Sequence, residues 1–476
     1  MGVPGPRGGV PLPARPPAAP QPQPPSGHPP RRRAWAEQSH RIRQSATTEP
    51  GRLRIIGAVL ALLVVAFGAV TAWQISARST AADNVVHHSA PLSDDAASIY
   101  RSLADADATV AGSFLVGGQP PAADKKRYEG DIRTAATLIA QAAANSDGSP
   151  EARAQISRLN QQLAPYTTLV ATAQADNRQG LPLGGAYLRY ADAQMRMPGG
   201  LLDSADQLYK TENSRLSSDY ADAKALPYAS WVLGVLAIAA LLWMQRRNYR
   251  RTNRVFNQGL LAASAASAVV LLWLVAGHTL ARAGLDDSYT HGAKSMQVLN
   301  NARIAVLQAR GDENLTLVAR GSGDNYQDSY AKGMVTLAGT DPKGVGGELA
   351  QALALADKTA GRTPVDTAIK NVQTWRARHA QAHTSDQNGD YTAAVTQVIG
   401  GNDGNGKPVT ATTKQSFTAV DDSLAQAVAQ ERKEFQKSAD DGRGALSLLP
   451  LGAALLAVLA AAGALLGIGR RLSEYR

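Results

Sequence analysis

The sequence predicts an all-α integral membrane protein: four transmembrane helices, two tandem extracytoplasmic four-helix bundles related by internal duplication, and a disordered N-terminal arm. Three observations predict this. Four apolar runs, beginning near Ile55, Pro227, Val255 and Ala445, each supply the roughly 20 apolar residues that a bilayer core about 30 Å thick demands of a helix. The runs fall in pairs: about 150 polar residues part the first from the second and the third from the fourth, and a short basic loop joins the second to the third. Almost no polar segment shows strand-type alternation of β-branched residues, whereas apolar residues recur at helical steps.

Charge orients the spans. The formal net charge of +10 and the basic pI could point to nucleic acid, but the charges are segregated. Residues 1–54, the short loop and the tail after the fourth run hold 17 basic against 3 acidic residues, while segments 77–226 and 282–444 hold 32 against 36. This is the positive-inside pattern, with both termini and the loop cytoplasmic. Nucleic-acid binding is not expected, because orientation and attraction to anionic lipid heads account for the arginines. The chain has no cysteine, so the exported segments must hold together by core packing.

The elements follow in order. Residues 1–52 form a Pro/Arg-rich arm, with stretches such as Pro20-Gln-Pro-Gln-Pro-Pro25, which cannot bury enough surface to offset its ordering entropy. It reads as a cytoplasmic linker, or as a polyproline ligand for a cytoplasmic partner. Span one covers 53–76 and is expected to stay as an uncleaved anchor. Bundle one covers 77–226. Its first helix carries the stripe Leu92, Ile99, Leu103, Val110 and Phe114 and stops at Gly117–Pro121. Helices over 123–145 and 151–175 follow, then a Gly/Pro-punctuated stretch from Gly180 to Gly200 with a short helix near 184–195, and a helix from Leu201 leading back to span two (227–245). The basic loop is 246–254 and span three 255–281. Bundle two (282–444) repeats the plan, with breaks at Gly321–Asp324, Gly339–Gly344 and Gly361–Pro364 and a floppy stretch at Gly400–Pro408. Span four is 445–468 and the tail 469–476. Ala77-Arg78 aligns with Ala281-Arg282, His87 with His291, Leu103 with Leu307, and Phe114–Gly118 with Leu317–Gly321, as a duplication requires.

Few motifs carry chemistry. No phosphate loop, kinase signature, nucleophile elbow or Cys/His frame occurs, so no enzymatic activity, cofactor or metal is expected. His379 and His383 stand four apart on a predicted helix; lacking a third ligand, they read as a solvated face rather than a metal pair. His87-His88 read as juxtamembrane residues, with pH sensing as the alternative. No Asp, Glu, Lys or Arg occupies a span centre, which argues against pumping.

Ala104–Gly118 is similar to the first helix of the four-helix-bundle sensor domains of bacterial chemoreceptors and histidine kinases. Gly180-Leu-Pro-Leu-Gly-Gly-Ala-Tyr-Leu-Arg189, Gly389-Asp-Tyr-Thr-Ala-Ala394 and Gly467–Arg476 resemble the actinobacterial GlnX-type four-span membrane proteins over residues 50–476. That resemblance implies a relay in which a solute-binding lipoprotein outside reports amino-acid supply to a soluble serine/threonine kinase inside.

The reading is therefore a non-enzymatic signal transducer whose partners are the lipid bilayer, a lipoprotein and a kinase. A homodimer is an open arrangement. Direct small-molecule sensing and a structural envelope or transporter-accessory role are the alternatives. Candidate docking residues on the cytoplasmic face are Arg246, Arg247, Arg250, Arg251, Arg254, Arg470, Arg471 and Tyr475. The bundle tips are expected to carry the outer contacts: Gly117, Gly118, Tyr187, Arg189, Asp324 and Tyr391.

Overall fold

Two unusually long helical rods run from the apolar end of the molecule into its polar body. The computed structural model describes residues 49–145, 149–181, 183–252, 257–341, 345–356, 359–447 and 449–473. Most of the N-terminal arm, Arg254 and Tyr475 lie outside the described residues. The first rod is α1 (Glu49–Asn84), a π-helical segment (Val85–Ser89) and α2 (Ala90–Val116). The second, built the same way, comes later in the chain: α8 (Gln258–Asp287), a π segment (Ser288–Ala293) and α9 (Lys294–Val318). A π turn accommodates one residue more than an α turn, so each rod has a local slip in its hydrogen bonding. Both slips lie just beyond the apolar run, and the aligned residues His87 and His291 fall within them.

Between the rods come α3 (Ala122–Asn145), α4 (Pro150–Arg178), α5 (Leu183–Arg196), α6 (Leu201–Lys224) and α7 (Tyr228–Thr252). Ser149 caps α4, its hydroxyl accepting from the Ala152 amide at 3.1 Å, with Pro150 in the first turn where no amide donor is needed. After the second rod come α10 (Asp324–Ala338), α11 (Gly347–Leu355), α12 (Thr359–Gln387), α13 (Tyr391–Ile399), β1 (Gly401–Asn402), β2 (Pro408–Val409), α14 (Thr413–Ser447) and α15 (Leu449–Ser473).

Two expectations change here. The predicted break at Gly361–Pro364 is absent: α12 runs through Pro364, and the interruption falls earlier, at Ala356. Near a helix start a proline forfeits one hydrogen bond, which packing can absorb. The stretch Gly400–Pro408 is a small antiparallel hairpin, pairing Gly401 with Val409. Asp403 Oδ1 shapes its turn by accepting from the amides of Asn405 (2.9 Å) and Lys407 (2.8 Å).

Among the described residues, four helices are long and apolar enough to cross a membrane, within α1, α7, α8 and α15. α15 packs between α1 and α8, and α7 touches both from the other side. Glycines permit a close crossing of α8 and α15: a Cβ on Gly259 would run into the Gly463 carbonyl oxygen. Leu62, Leu272, Leu455 and Leu466 point outward from this group, an apolar belt suited to lipid.

The polar body has one principal core shared by both halves. Leu103, Ile139, Leu159 and Met195 of the first half and Leu299, Met334, Trp375 and Leu424 of the second belong to the same buried cluster. The halves meet chiefly along α2 and α9. They are thus joined within one chain.

If each π segment is a one-residue slip, deleting exposed His88 lets the first rod close as uniform α-helix in register. The deletion variant is expected to melt within about 4 °C of the parent, equivalent to about 1 kcal/mol. Deleting Ser102, in the regular part of α2, turns the following apolar stripe by about 100° and should abolish the cooperative transition. Thermal melts followed by circular dichroism decide it.

Candidate functional site

The predicted tip residues come from several elements: the turn after α2, α5, α10 and α13. Gly117 and Gly118, with φ of 71° and 65°, make the exposed turn after α2. Beside it, the Asn177 side-chain amide donates to the Phe114 carbonyl at 3.3 Å, which brings in the end of α4. The second half joins at the same end: Leu115 packs against the cluster of Leu317, Ala394 and Val398, where Tyr391 also sits. Arg320, held at a φ of 43°, lays its guanidinium 4.8 Å above the Tyr391 ring. Asp324 and Arg189 are exposed, and half-buried Tyr187 meets Tyr190 edge-on at 6.3 Å.

The stretch Gly180–Gly200 begins at this end but does not stay there. α5 folds back along α4. The Gln162 side-chain amide, from the middle of α4, donates to the Gly199 carbonyl at 2.7 Å. Leu188 and Met195 are the apolar face that draws α5 inward.

Its last residue, Arg196, completes a buried charge cluster that motif reading missed. Arg196 lies 3.2 Å from Asp107 of α2, 2.8 Å from Asp192 of α5 and 2.6 Å from Asp312 of α9. Tyr326 of α10 donates to Asp192 at 3.1 Å. Burial, with Asp192 alongside, pushes the Asp107 carboxyl up to about 7, and burial pushes Asp312 up to about 6. Three buried carboxylates share one guanidinium, so the cluster retains protons near neutrality.

A second cluster lies farther along the same turn of α9, where Arg310-Gly-Asp-Glu-Asn314 is wholly buried. The Arg310 guanidinium donates to Glu313 at 2.6 Å and to the Thr413 hydroxyl at 2.9 Å. Glu313 also accepts from the Trp375 indole at 3.1 Å and lies 2.9 Å from His379 Nδ1. Burial alone would raise Glu313, but His379, Arg310 and Trp375 outweigh it and hold the carboxyl below its usual range. His379 is therefore a buried structural partner, stacked 3.6 Å from Tyr330, and not the solvated face its spacing implied. His383 stacks on it at 6.1 Å.

Between these clusters and the far end, a cleft of about 100 Å³ opens on the seam. Its walls come from α2, α3, α9 and α14, and they include Asp105, Thr109, Asp124, Arg127, Asn314 and Phe417. Gly112 keeps the seam tight, since a Cβ there would lie 3.0 Å from the Asn314 amide nitrogen. That nitrogen donates to the Ala108 carbonyl at 3.0 Å.

At the opposite end of the molecule, Arg246 and Arg250 are exposed on the last turns of α7, and Arg247 rests 5.6 Å from the Trp243 ring. The end of α15 lies near them: the Asn257 amide at the start of α8 donates to the Gly467 carbonyl at 2.7 Å. The side chains of Arg251, Arg470 and Arg471 lie outside the described residues, as do Arg254 and Tyr475 entirely.

An actinobacterial sensor domain family model matches residues 81–221, from the end of α1 through α6. The match points to a signalling or sensing role. No curated protein and no solved structure matches the chain.

The acid cluster gives a pH dependence of definite sign. Unfolded carboxylates release their protons near 3.9, whereas Asp107 and Asp312 hold theirs to about 7 and about 6. The folded state binds more protons across this window, so stability falls as pH rises from about 4 to about 7. Melting is expected at higher temperature at pH 5 than at pH 8, and Asp107→Asn should flatten the difference. An unchanged slope in Asp107→Asn would sink this assignment.

Proposed function

We propose that the chain is a non-enzymatic transmembrane signal transducer of the GlnX type, built by duplication of one sensor hairpin. In this reading the polar body is extracytoplasmic, and both termini and the Arg246–Arg254 loop face the cytoplasm. A solute-binding lipoprotein reports amino-acid availability at the far end. A cytoplasmic serine/threonine kinase receives the signal at Arg246, Arg247, Arg250, Arg251 and Arg254, together with Arg470, Arg471 and Tyr475.

The observation that carries the reading is the pair of rods. Each runs from an apolar span, through a π segment at the corresponding place, into the α2–α9 seam. A shift at the seam therefore has a continuous helical route to the spans in both halves. The sensor-family match over 81–221 supports a sensing role for the first half. The repeated rod plan supports duplication, and in this reading the second half shares the role of the first. Segregation of arginine supports the orientation. To act as a switch, the outer partner must bind one seam packing more tightly than another, typically by about 1–3 kcal/mol.

Affinity capture of the intact chain from native membranes tests the relay. Recovery of a solute-binding lipoprotein together with a kinase is expected; recovery of wall-synthesis or transport proteins alone contradicts it. Replacing the five loop arginines with serine should abolish kinase recovery and leave lipoprotein recovery intact, once reporter fusions at Gly117–Pro121 show that topology is unchanged.

A further inference from the structure

α5 has two apolar faces, and the body covers one of them. Leu188, Ala191 and Met195 are the buried face. About a third of a turn away, Leu183, Ala186, Tyr190, Ala193 and Met197 recur at alternating steps of three and four residues. That spacing draws one line along a helix, the seam by which a helix packs on another helix. Met197 stays on the line because its amide donates to the Ala193 carbonyl at 2.9 Å, closing the last turn. Yet the line faces outward: Leu183 is 59% exposed, Tyr190 62% and Met197 45%. Ala193 is exposed and Ala186 half-buried.

The exposure is concentrated. Within the described part of 77–226, the other exposed large apolar side chains are Val116 and Leu181, which flank the start of α5. Single apolar residues on a surface need no explanation, whereas a continuous row marks a contact.

Lipid, a second copy and another protein are the candidates to cover the row. In the orientation read above, lipid is out of reach. α2 is 27 residues long, so the turn at its end stands about 40 Å beyond the π segment. α5 starts beside that turn and, at 14 residues, folds back only about 21 Å. A second copy fits the shape but not the charge. Arg189 stands exposed beside the row and pairs with no carboxylate among the described residues. The single acid of α5, Asp192, is buried and turned to Arg196. Two copies of this helix would bring arginine edges together with no exposed acid on either. Helix pairs are matched instead by opposite charges along their edges.

We propose that the outward face of α5 docks an amphipathic helix of another protein, whose apolar stripe covers Leu183, Tyr190 and Met197 and whose carboxylate meets Arg189. Tyrosine and arginine are the residue types that most often anchor such contacts. That the partner lies outside the membrane rests on the signalling reading. The helix docking itself does not, so loss of kinase recovery and loss of this contact are distinguishable.

The test places the photoreactive residue p-benzoylphenylalanine at position 193 of the full chain in native membranes. Irradiation is expected to give an adduct with a different protein. Mass spectrometry should map it to an apolar residue of a helix, with an acid three or four residues away. The same probe at Thr137, exposed on α3, sets the background. Arg189→Glu should lower the adduct yield at least about threefold and leave melting unchanged, as expected of an exposed charge pair. Tyr190→Ser, also at an exposed position, serves if that variant folds poorly. No adduct above background, an adduct with lipid or a second copy alone, an adduct outside a helix, or full yield in both folded variants would overturn the proposal.

Discussion

Half-buried Arg196 sits among buried Asp107, Asp192 and Asp312, and that grouping can be satisfied only while α2, α5 and α9 keep one relative position. Removing a guanidinium and three carboxylates from water is costly, and the cost is offset only by close, well-directed contacts. α5 must therefore fold back into the body, and α9 must lie against α2. Once that seam is fixed, the two spans at the base of the rods are fixed as well. α15 closes their arrangement by packing on both α1 and α8.

The same constraint explains why the polar body is one unit rather than two. Gly112 and Asn314 bring the helices close enough for a side-chain amide to reach the neighbouring backbone. Apolar residues from both halves then share a core on either side of this line. Farther down, the π segments are anchored differently. Ser288 hydrogen-bonds Tyr220 at 2.7 Å, joining the second rod to α6, and Gly292 backs onto Phe435 of α14. The second rod is thus gripped by both helices that return to the membrane, α6 and α14. A slip in hydrogen bonding at that level gives a rod a place to turn without breaking its core above or its span below.

Much of the scaffold was legible in the sequence. The spans announce themselves because a bilayer admits only long apolar helices, and the turns at Gly117, Gly180 and Gly389 because the chain there takes a positive φ that glycine tolerates. The seam was not legible. Arg310-Gly-Asp-Glu-Asn314 is a run of mostly charged and polar residues, and partners distant in the chain, such as Thr413 and Trp375, are what allow its burial. His379 was misread for the same reason: its partner Glu313 lies in another helix. The inward fold of α5 depends on Arg196 finding acids on α2 and α9, which no local pattern encodes. The π segments left one trace, the alignment of His87 with His291, because a slipped hydrogen-bond register changes no residue type.

The central claim is that α2 and α9 hold both halves as one body. The chain has no cysteine, so paired labels can be introduced without background. Spin labels at Lys126 of α3 and Lys370 of α12, both exposed and in opposite halves, report the distance across the seam by double electron–electron resonance. A single narrow distance distribution is predicted for the intact chain in nanodiscs, broadening when Asp312→Ala removes the link from Arg196 to α9. A broad distribution in the parent chain, indistinguishable from that of the variant, would contradict the account.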